Sequence, residues 1–377
     1  MSAARMSAWR VHAYGARAEL RLESARVPPL RAPHHVLVRV GAASVNPLDV
    51  AMIGGYGARV LNALRALADG AAGDAAGGVE FPLVAGRDFA GEVVLCGARA
   101  RLRRGQAVWG VVPPHWPGAH AQYVLVEDRW AGPAPRALSR LQAGGALYAA
   151  LSACAALRAA GVRAGARAPR TRVLLLGLGG VGQAALQLLR CAGAEVVVGC
   201  SAEQRAAAEA LGAALVLDRA AADYDRALEE CGPYDAILDC AGLGGAEAGA
   251  RRWRFARYVT LSSPLLRHTD RDGLLLGALR AGADLAQQCA AAARLPRARD
   301  APAPQCPPHV RWAYFAPSAP DIEMLRRLAD RGEFTVEVER VFGWWEAERA
   351  YERLAQGHAR GKLLLDFAAP RPARVVG

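Results

Sequence analysis

The sequence predicts an α/β protein, with a doubly wound parallel sheet in mid-chain and a smaller β-barrel-like domain ahead of it, on three observations. The stretch VLLLGLGGVGQAALQLLRCAGAEVVVGCS, residues 173–201, reads as strand, glycine turn, helix and strand. From about Ala146 to Ser263 that rhythm continues, with AALVLD, YDAILD and RYVTL as further parallel strands. Residues 9–130 instead break into short strands between turns, among them VLVRVGAASV, GEVVLCG, QAVWGVV and AQYVLV.

Each element of the first stretch has a reason. Val173 to Leu176 is the continuous apolar run expected of a parallel strand buried on both faces. Gly177, Gly179 and Gly182 follow in G-x-G-x-x-G spacing, Gln183 to Arg190 reads as a helix, and Gly193 stops it. Glu195 to Val198 then opens a second strand. Glycines so placed permit a tight turn and close backbone approach, and the helix start offers free amides to a pyrophosphate. The unit is read as a dinucleotide cradle.

The second strand indicates which dinucleotide. An NAD site ends this strand on an acid that holds the ribose diol. Here it ends Gly199-Cys200-Ser201, and Glu203, the nearest acid, lies past the tip in the next helix. Ser201 can hydrogen-bond a phosphate and Arg205 or Arg219 can neutralise one, which points to NADPH. Ser201 equally fits a helix N-cap, and Arg205 a solvated helix face.

The remaining segments follow in order. Ala66 to Gly78 is an Ala/Gly-rich stretch expected to form a surface loop. Residues 294–308, RLPRARDAPAPQCPP, form a Pro-rich connector. The last stretch mixes VRWAYF, TVEVERVF and KLLLDF with two amphipathic helices and is expected to return to the first domain. The expected division is therefore 1–145, 146–308 and 309–377.

Composition removes several function classes. The formal charge of +12 is almost all arginine, since Lys362 is the only lysine. Arginine, alanine, glycine and proline share GC-rich codons, and no nucleic-acid motif or sustained basic block accompanies the charge, so no nucleic-acid partner is expected. No apolar run approaches the ~20 residues of a membrane-spanning helix. The eight cysteines are scattered without a C-x-x-C pair, against a structural zinc lobe or disulfide framework and in favour of a reducing interior. Met1 to Ala18 carries Arg5, Arg10 and Arg17 without an acid, as a mitochondrial presequence does, yet a strand pattern begins near Trp9 and leaves only a short leader.

AASVNPLDVAMIGGYG, FPLVAGRDFAGEVVLCG, VWGVVPP and GHARGK lie in the order and spacing of the medium-chain dehydrogenase/reductase superfamily, quinone-oxidoreductase branch, which the chain resembles. YVTLSSPLLRHTDRDG, VRWAYF and GHARGKLLLDF narrow the resemblance to a mitochondrial NADPH oxidoreductase family linked to ubiquinone synthesis. It spans roughly Trp9 to Phe367. It implies a GroES-like β-barrel catalytic domain, split in sequence and completed by the C-terminal segment, around a central Rossmann domain. It also implies a mitochondrial location, with a cytoplasmic one as the other choice, and leaves open a membrane-associated protein partner and a homodimer.

Carried over by residue, the resemblance puts the phosphate cradle on Gly179, Gly180 and Val181 and the adenosine-phosphate serine on Ser201. A tyrosine near the 2′-phosphate in the family is Arg219 here, and the asparagine after ILD is Cys240, which puts a nicotinamide-side contact in doubt. The glycine loop is one residue shorter than the family's. Phe315, in WAYF, and His358, Ala359 and Arg360, in HARGK, belong to segments that close over the cofactor in the family. Phe315 fits ordinary core equally well.

Zinc-dependent relatives carry a cysteine where this chain reads SVNPLD and a His-Glu pair where it reads Gly86-Arg87-Asp88. Catalytic zinc needs about three N, S or O side-chain ligands. Neither place supplies Cys or His, so no metal is expected, and alcohol oxidation loses its usual route to an alkoxide. Hydride reduction of a quinone or related enone or carbonyl stays open, because the cofactor carries the hard chemistry. Asn46 and Tyr56 are the expected donors to the developing oxyanion. Asn46 also fits a turn cap, and Tyr56 simple packing. A non-enzymatic NADPH-binding interaction or assembly factor is the alternative that Cys240 and the shortened loop favour.

Overall fold

The computed structural model describes residues 4–72, 80–164, 170–295, 307–357 and 359–372. They divide into two compact units, Met1–Tyr148 with Pro317–Gly377, and Ala149–Ala316.

The first unit is built on a seven-stranded sheet. Its long central strand, His35–Val45, pairs antiparallel with Asp88–Cys96 and Tyr123–Glu127. The C-terminal strand Lys362–Asp366 joins the same strand, with Leu363 opposite Val45 and Asp366 opposite Ala42, so the two ends of the chain make one sheet. A three-stranded sheet adds Arg5–Val11 between Arg21–Arg26 and Leu83–Val84. Trp9, Val11, Val45, Ile53, Phe342, Tyr351, Leu363 and Leu365 meet in one core. Arg5 and Arg10, which give the N-terminal stretch its basic character, lie in the first strand, and Arg10 pairs with Glu23 at 3.2 Å.

The surface loop expected at Ala66 to Gly78 is corrected in its first part. A helix covers Ala58–Ala72, and residues 73–79 lie outside the described residues. Alanine is the strongest helix former, and Leu61 anchors the helix in the core.

The second unit is a six-stranded, wholly parallel sheet. Across it run Leu215–Asp218, Glu195–Cys200, Arg172–Leu176, Tyr234–Asp239, Phe255–Thr260 and His309–Trp312. The order reverses between Arg172–Leu176 and Tyr234–Asp239, the place where doubly wound sheets bind ligands.

The start of the expected third segment at 309 is also corrected. His309–Trp312 pairs in parallel with Phe255–Thr260, and Val310 is buried with Leu174, Tyr234 and Phe255, so residues 309–316 belong to the second unit. A four-residue strand reads the same whichever sheet receives it. The choice is made by the 20-residue helix Leu274–Ala293, which packs on that strand. Most of the Pro-rich connector, 296–306, lies outside the described residues.

Candidate functional site

The glycine turn closes the C-terminal end of Arg172–Leu176. Gly177 takes φ +88°, and its N–H donates to Gly199 O at 2.8 Å. Helix Gly180–Ala192 begins directly after Gly179. A Cβ on Gly182 would stand 2.1 Å from Gly177 O, so the helix can sit this close only on glycine. A Cβ on Gly179 would meet nothing within 4 Å, which leaves that side of the turn open. Gly180, Val181 and Gly182 occupy the first helical turn, where N–H groups have no intrahelical acceptor. Gly177, Gly179, Gly180, Val181 and Gly182 thus form one cradle with the shape and donors a pyrophosphate needs.

The opposite wall of the switch point is set by Asp239, whose role the sequence did not disclose. Its buried carboxylate accepts N–H bonds from Ala241 (3.1 Å), Gly242 (2.9 Å), Leu243 (3.1 Å) and Gly244 (2.8 Å), and the Thr260 hydroxyl at 2.7 Å. The exposed loop after the strand is therefore wound around one side chain. Ala241 backs Gly177, its Cα 3.0 Å from where a Cβ there would lie. Cys240 N–H bonds Leu176 O at 2.9 Å, and burial pushes its thiol well above the ordinary range, so it is a neutral wall residue.

At the tip of Glu195–Cys200, Ser201 starts a short helical turn without its side chain accepting a backbone N–H there. Its hydroxyl lies 3.4 Å from Gln204 Oε1, while the Gln204 amide donates to Leu178 O at 3.0 Å and ties this tip to the glycine turn. Arg219 N–H bonds Cys200 O at 2.8 Å; its side chain is exposed and forms no ion pair among the described residues. Arg205 is exposed and paired with Glu209 at 3.7 Å, the solvated role. Phe315 follows the last strand of this unit and is half-buried.

The other expected site residues lie in the first unit, where SVNPLD, GRD and GK meet as a buried polar cluster. Asn46 caps helix Pro47–Ile53, and its N–H donates to Asp49 Oδ2 at 2.8 Å. Its side chain is 1 % exposed. The carboxamide nitrogen donates to Ser44 Oγ and Asp88 Oδ1, both at 3.1 Å, and the oxygen accepts from Lys362 Nζ at 2.5 Å. Both amide hydrogens are engaged inside the cluster, so this arrangement does not present Asn46 as the oxyanion donor expected from the sequence. Asp88 also accepts the Ser44 hydroxyl at 2.5 Å and the Tyr148 N–H at 3.2 Å.

Arg87 is fully buried. It faces Asp49 at 3.4 Å and donates to the carbonyls of Pro113, Trp116 and Val84. His120 lies between Ser44 O (3.0 Å) and the Tyr351 hydroxyl (3.1 Å), and burial holds its imidazole below the ordinary value. Tyr56 sits in the turn after the helix, with its N–H on Ala51 O, close enough to Tyr148 to couple electrostatically. Burial, then Asp49, pushes the Tyr148 hydroxyl far up, so it stays protonated. Tyr148 was missed in sequence because nothing in GALYAA marks it.

Two family models match: an alcohol dehydrogenase GroES-like domain over residues 32–136 and a zinc-binding dehydrogenase domain over 211–365. A mitochondrial NAD(P)H oxidoreductase RTN4IP1 of Drosophila melanogaster is 38% identical over 378 residues, covering 97% of this chain and 87% of that protein. The chain belongs to this oxidoreductase family, within the medium-chain dehydrogenases/reductases. The Homo sapiens relative is 33% identical over 96% of this chain and 89% of its own length. Both are named mitochondrial, which supports a mitochondrial location here. The fold is shared with a quinone oxidoreductase from Coxiella burnetii, at TM-score 0.71 and 24% identity, covering 96% of this chain and 99% of that one.

Family membership implies a nicotinamide cofactor, and the cradle fits one. Of the HARGK segment, His358 lies outside the described residues, while Ala359 and Arg360 are in the first unit, with Arg360 N–H on Glu339 at 2.6 Å. The lysine of GK proves as telling as the glycines. It was not singled out because its partner Asn46 lies 316 residues away.

Proposed function

We propose that the protein is a zinc-independent, NADPH-dependent oxidoreductase that passes hydride to a quinone or related enone or carbonyl acceptor in the mitochondrion. The observation that carries this is Arg87. It stands where zinc-dependent relatives hold a metal ligand, and a guanidinium has no lone pair to offer a metal. Among the described residues no three His, Cys, Asp or Glu side chains gather as a ligand set. Without a Lewis acid, a conjugated acceptor that delocalises incoming charge is the suitable substrate.

Preference for NADPH is supported by the strand tip, where Ser201 and Arg219, which has no ion pair among the described residues, stand in place of an acid. Gly179, Gly180, Val181 and Gly182 would hold the pyrophosphate, and the loop organised by Asp239 would limit the nicotinamide side. Bound NADPH supplies the hydride. Tyr148 and Tyr56 are the hydroxyls assigned to the acceptor oxygen. Tyr148 stays neutral and can donate as negative charge develops.

The test is NADPH oxidation by the purified protein with a panel of quinones and enones, with and without acceptor, together with metal analysis. Acceptor-dependent turnover in metal-free protein is expected. One tightly held zinc per chain would overturn the metal-free chemistry. Tight NADPH binding without turnover would replace the enzyme by an NADPH-binding interaction factor, the role Cys240 favours.

A further inference from the structure

Of the 47 lysine and arginine residues in this chain, only Lys362 is lysine. The other 46 are arginine. Lys362 is also buried, at 8 % exposure, whereas most arginines lie at the surface. Its strand pairs Leu363 with Val45, which brings the ammonium level with Asn46, one residue further along.

We infer that Lys362 is a positioning residue whose ammonium locks the carboxamide of Asn46, and that arginine cannot take its place. Nζ donates to Asn46 Oδ1 at 2.5 Å, and among the described residues no carboxylate is in ion-pair distance of it. Its charge therefore acts through the amide. With Oδ1 held, Nδ2 must face Ser44 and Asp88. Asp88 then accepts the Tyr148 N–H on its other oxygen. The order Lys362, Asn46, Asp88, Tyr148 is a continuous chain of hydrogen bonds ending at the residue proposed to meet the acceptor.

Geometry explains why the residue is lysine. The unbranched Lys362 stem runs past Gly145, where a Cβ would lie in ordinary contact, 3.4 Å, with Lys362 Cβ and Cε and would clash instead with Leu364 Cδ2 at 2.6 Å. An ammonium presents three rotatable donors around one point, whereas a guanidinium is a planar fork of five. One carboxamide oxygen can satisfy only part of that fork, and the rest would be buried unpaired. Within this cluster the two buried cations, Lys362 and Arg87, match the two buried acids, Asp49 and Asp88, in number. Burial works against the ammonium, and Asp88 and Asp49 support it.

The effect on turnover rests on the oxidoreductase reading; the effect on the ammonium itself does not, and the test separates them. Growth with ¹⁵N-lysine labels one side chain in the whole protein. A single, slowly exchanging ammonium resonance is expected at neutral pH, displaced by Asn46→Ala. A rapidly exchanging resonance, or one blind to Asn46→Ala, would overturn the inference without any activity measurement. In turnover, Lys362→Arg and Lys362→Met should each lower kcat with the acceptor by about tenfold or more, with NADPH affinity within about twofold of wild type. Lys362→Arg with full kcat would also overturn it. If either variant fails to fold, the resonance of the wild type and of Asn46→Ala decides. Absence of acceptor turnover in the wild type would sink the proposed function alone.

Discussion

Asp239→Asn puts the construction of the cradle to a direct test. The carboxylate takes three backbone N–H bonds on Oδ1 and, on Oδ2, the Gly244 N–H and the Thr260 hydroxyl. Asparagine keeps the first oxygen and turns the second into an amide donor. Thr260 can adapt by turning its hydroxyl towards Ser262 O, but the Gly244 N–H then faces another donor. One unpaired backbone donor costs ~1–3 kcal/mol, and three bonds fall from charge-assisted to neutral at ~1 kcal/mol each. Bonds sharing one acceptor do not add fully, so about 3 kcal/mol is the expected total. The loss falls first on the exposed loop 241–244, before global unfolding. That loop backs Gly177, so disorder there should reach the cofactor. A penalty of ~3 kcal/mol is more than ~100-fold in an equilibrium constant. NADPH can recover part of it by re-forming the loop, so the Kd should rise by ~10-fold to ~100-fold. Titration calorimetry gives the affinity, and amide hydrogen exchange at 241–244 the loop order. Wild-type Kd within twofold, with unchanged exchange, would refute the role given to Asp239.

Arg219→Ala should raise the NADPH Kd by about tenfold, ~1.4 kcal/mol, and leave NADH untouched; equal weakening of both by calorimetry would misplace the 2′-phosphate. Gly182→Ala puts a Cβ against Gly177 O and should abolish cofactor binding, while circular dichroism shows the helices retained. Burial holds His35, His115 and His120 below the ordinary imidazole value of 6.5, so each binds a proton less readily in the folded protein than in the unfolded chain, where it protonates near 6.5. Their contribution to stability is therefore complete above about pH 6.5 and is lost as the pH falls below it. Urea unfolding from pH 7.5 to 5 should show uptake of up to about three protons on unfolding, and a flat profile would contradict this.

The glycines were legible because backbone sterics dictate them: a positive φ at Gly177 and a helix resting on its carbonyl at Gly182 leave no other residue possible. The missing acid after Cys200 was legible for the same reason, since a strand tip is fixed in space once its strand is found. Asp239 left a weaker trace. An acid followed by Cys-Ala-Gly-Leu-Gly-Gly can fold its own loop around itself, but that spacing also occurs in ordinary turns. Asn46 was found, but not the partners that engage its carboxamide. Which end of a carboxamide is free depends on its partners, and Ser44, Asp88 and Lys362 come from three different strands. Sheet membership failed at His309–Trp312 because pairing is chosen by the helix packed above it, not by the strand's own pattern.

Arg87 joins the absent metal ligand to the buried cluster. Under the proposed function the first unit must keep a polar interior without a metal, and a buried acid such as Asp49 needs a cation beside it. Arg87 supplies that cation, and three backbone carbonyls accept from its guanidinium. A guanidinium is permanently charged and has no vacant coordination position, so it can balance Asp49 but cannot bind a substrate oxygen as a Lewis acid does. Asp49 is thereby fixed on Gly86 N–H and Asn46 N–H, which holds the two motif loops together. Asp88, balanced through Asn46 by Lys362, accepts the backbone N–H of Tyr148 and so fixes the main chain there. In the proposed reaction, hydride reduction of a conjugated acceptor would ask of this unit a neutral hydroxyl donor, the part proposed for Tyr148. Under that reading Arg87 takes the metal-ligand position, while Asp88, Asn46 and Lys362 hold the backbone of Tyr148, the donor proposed in place of a metal.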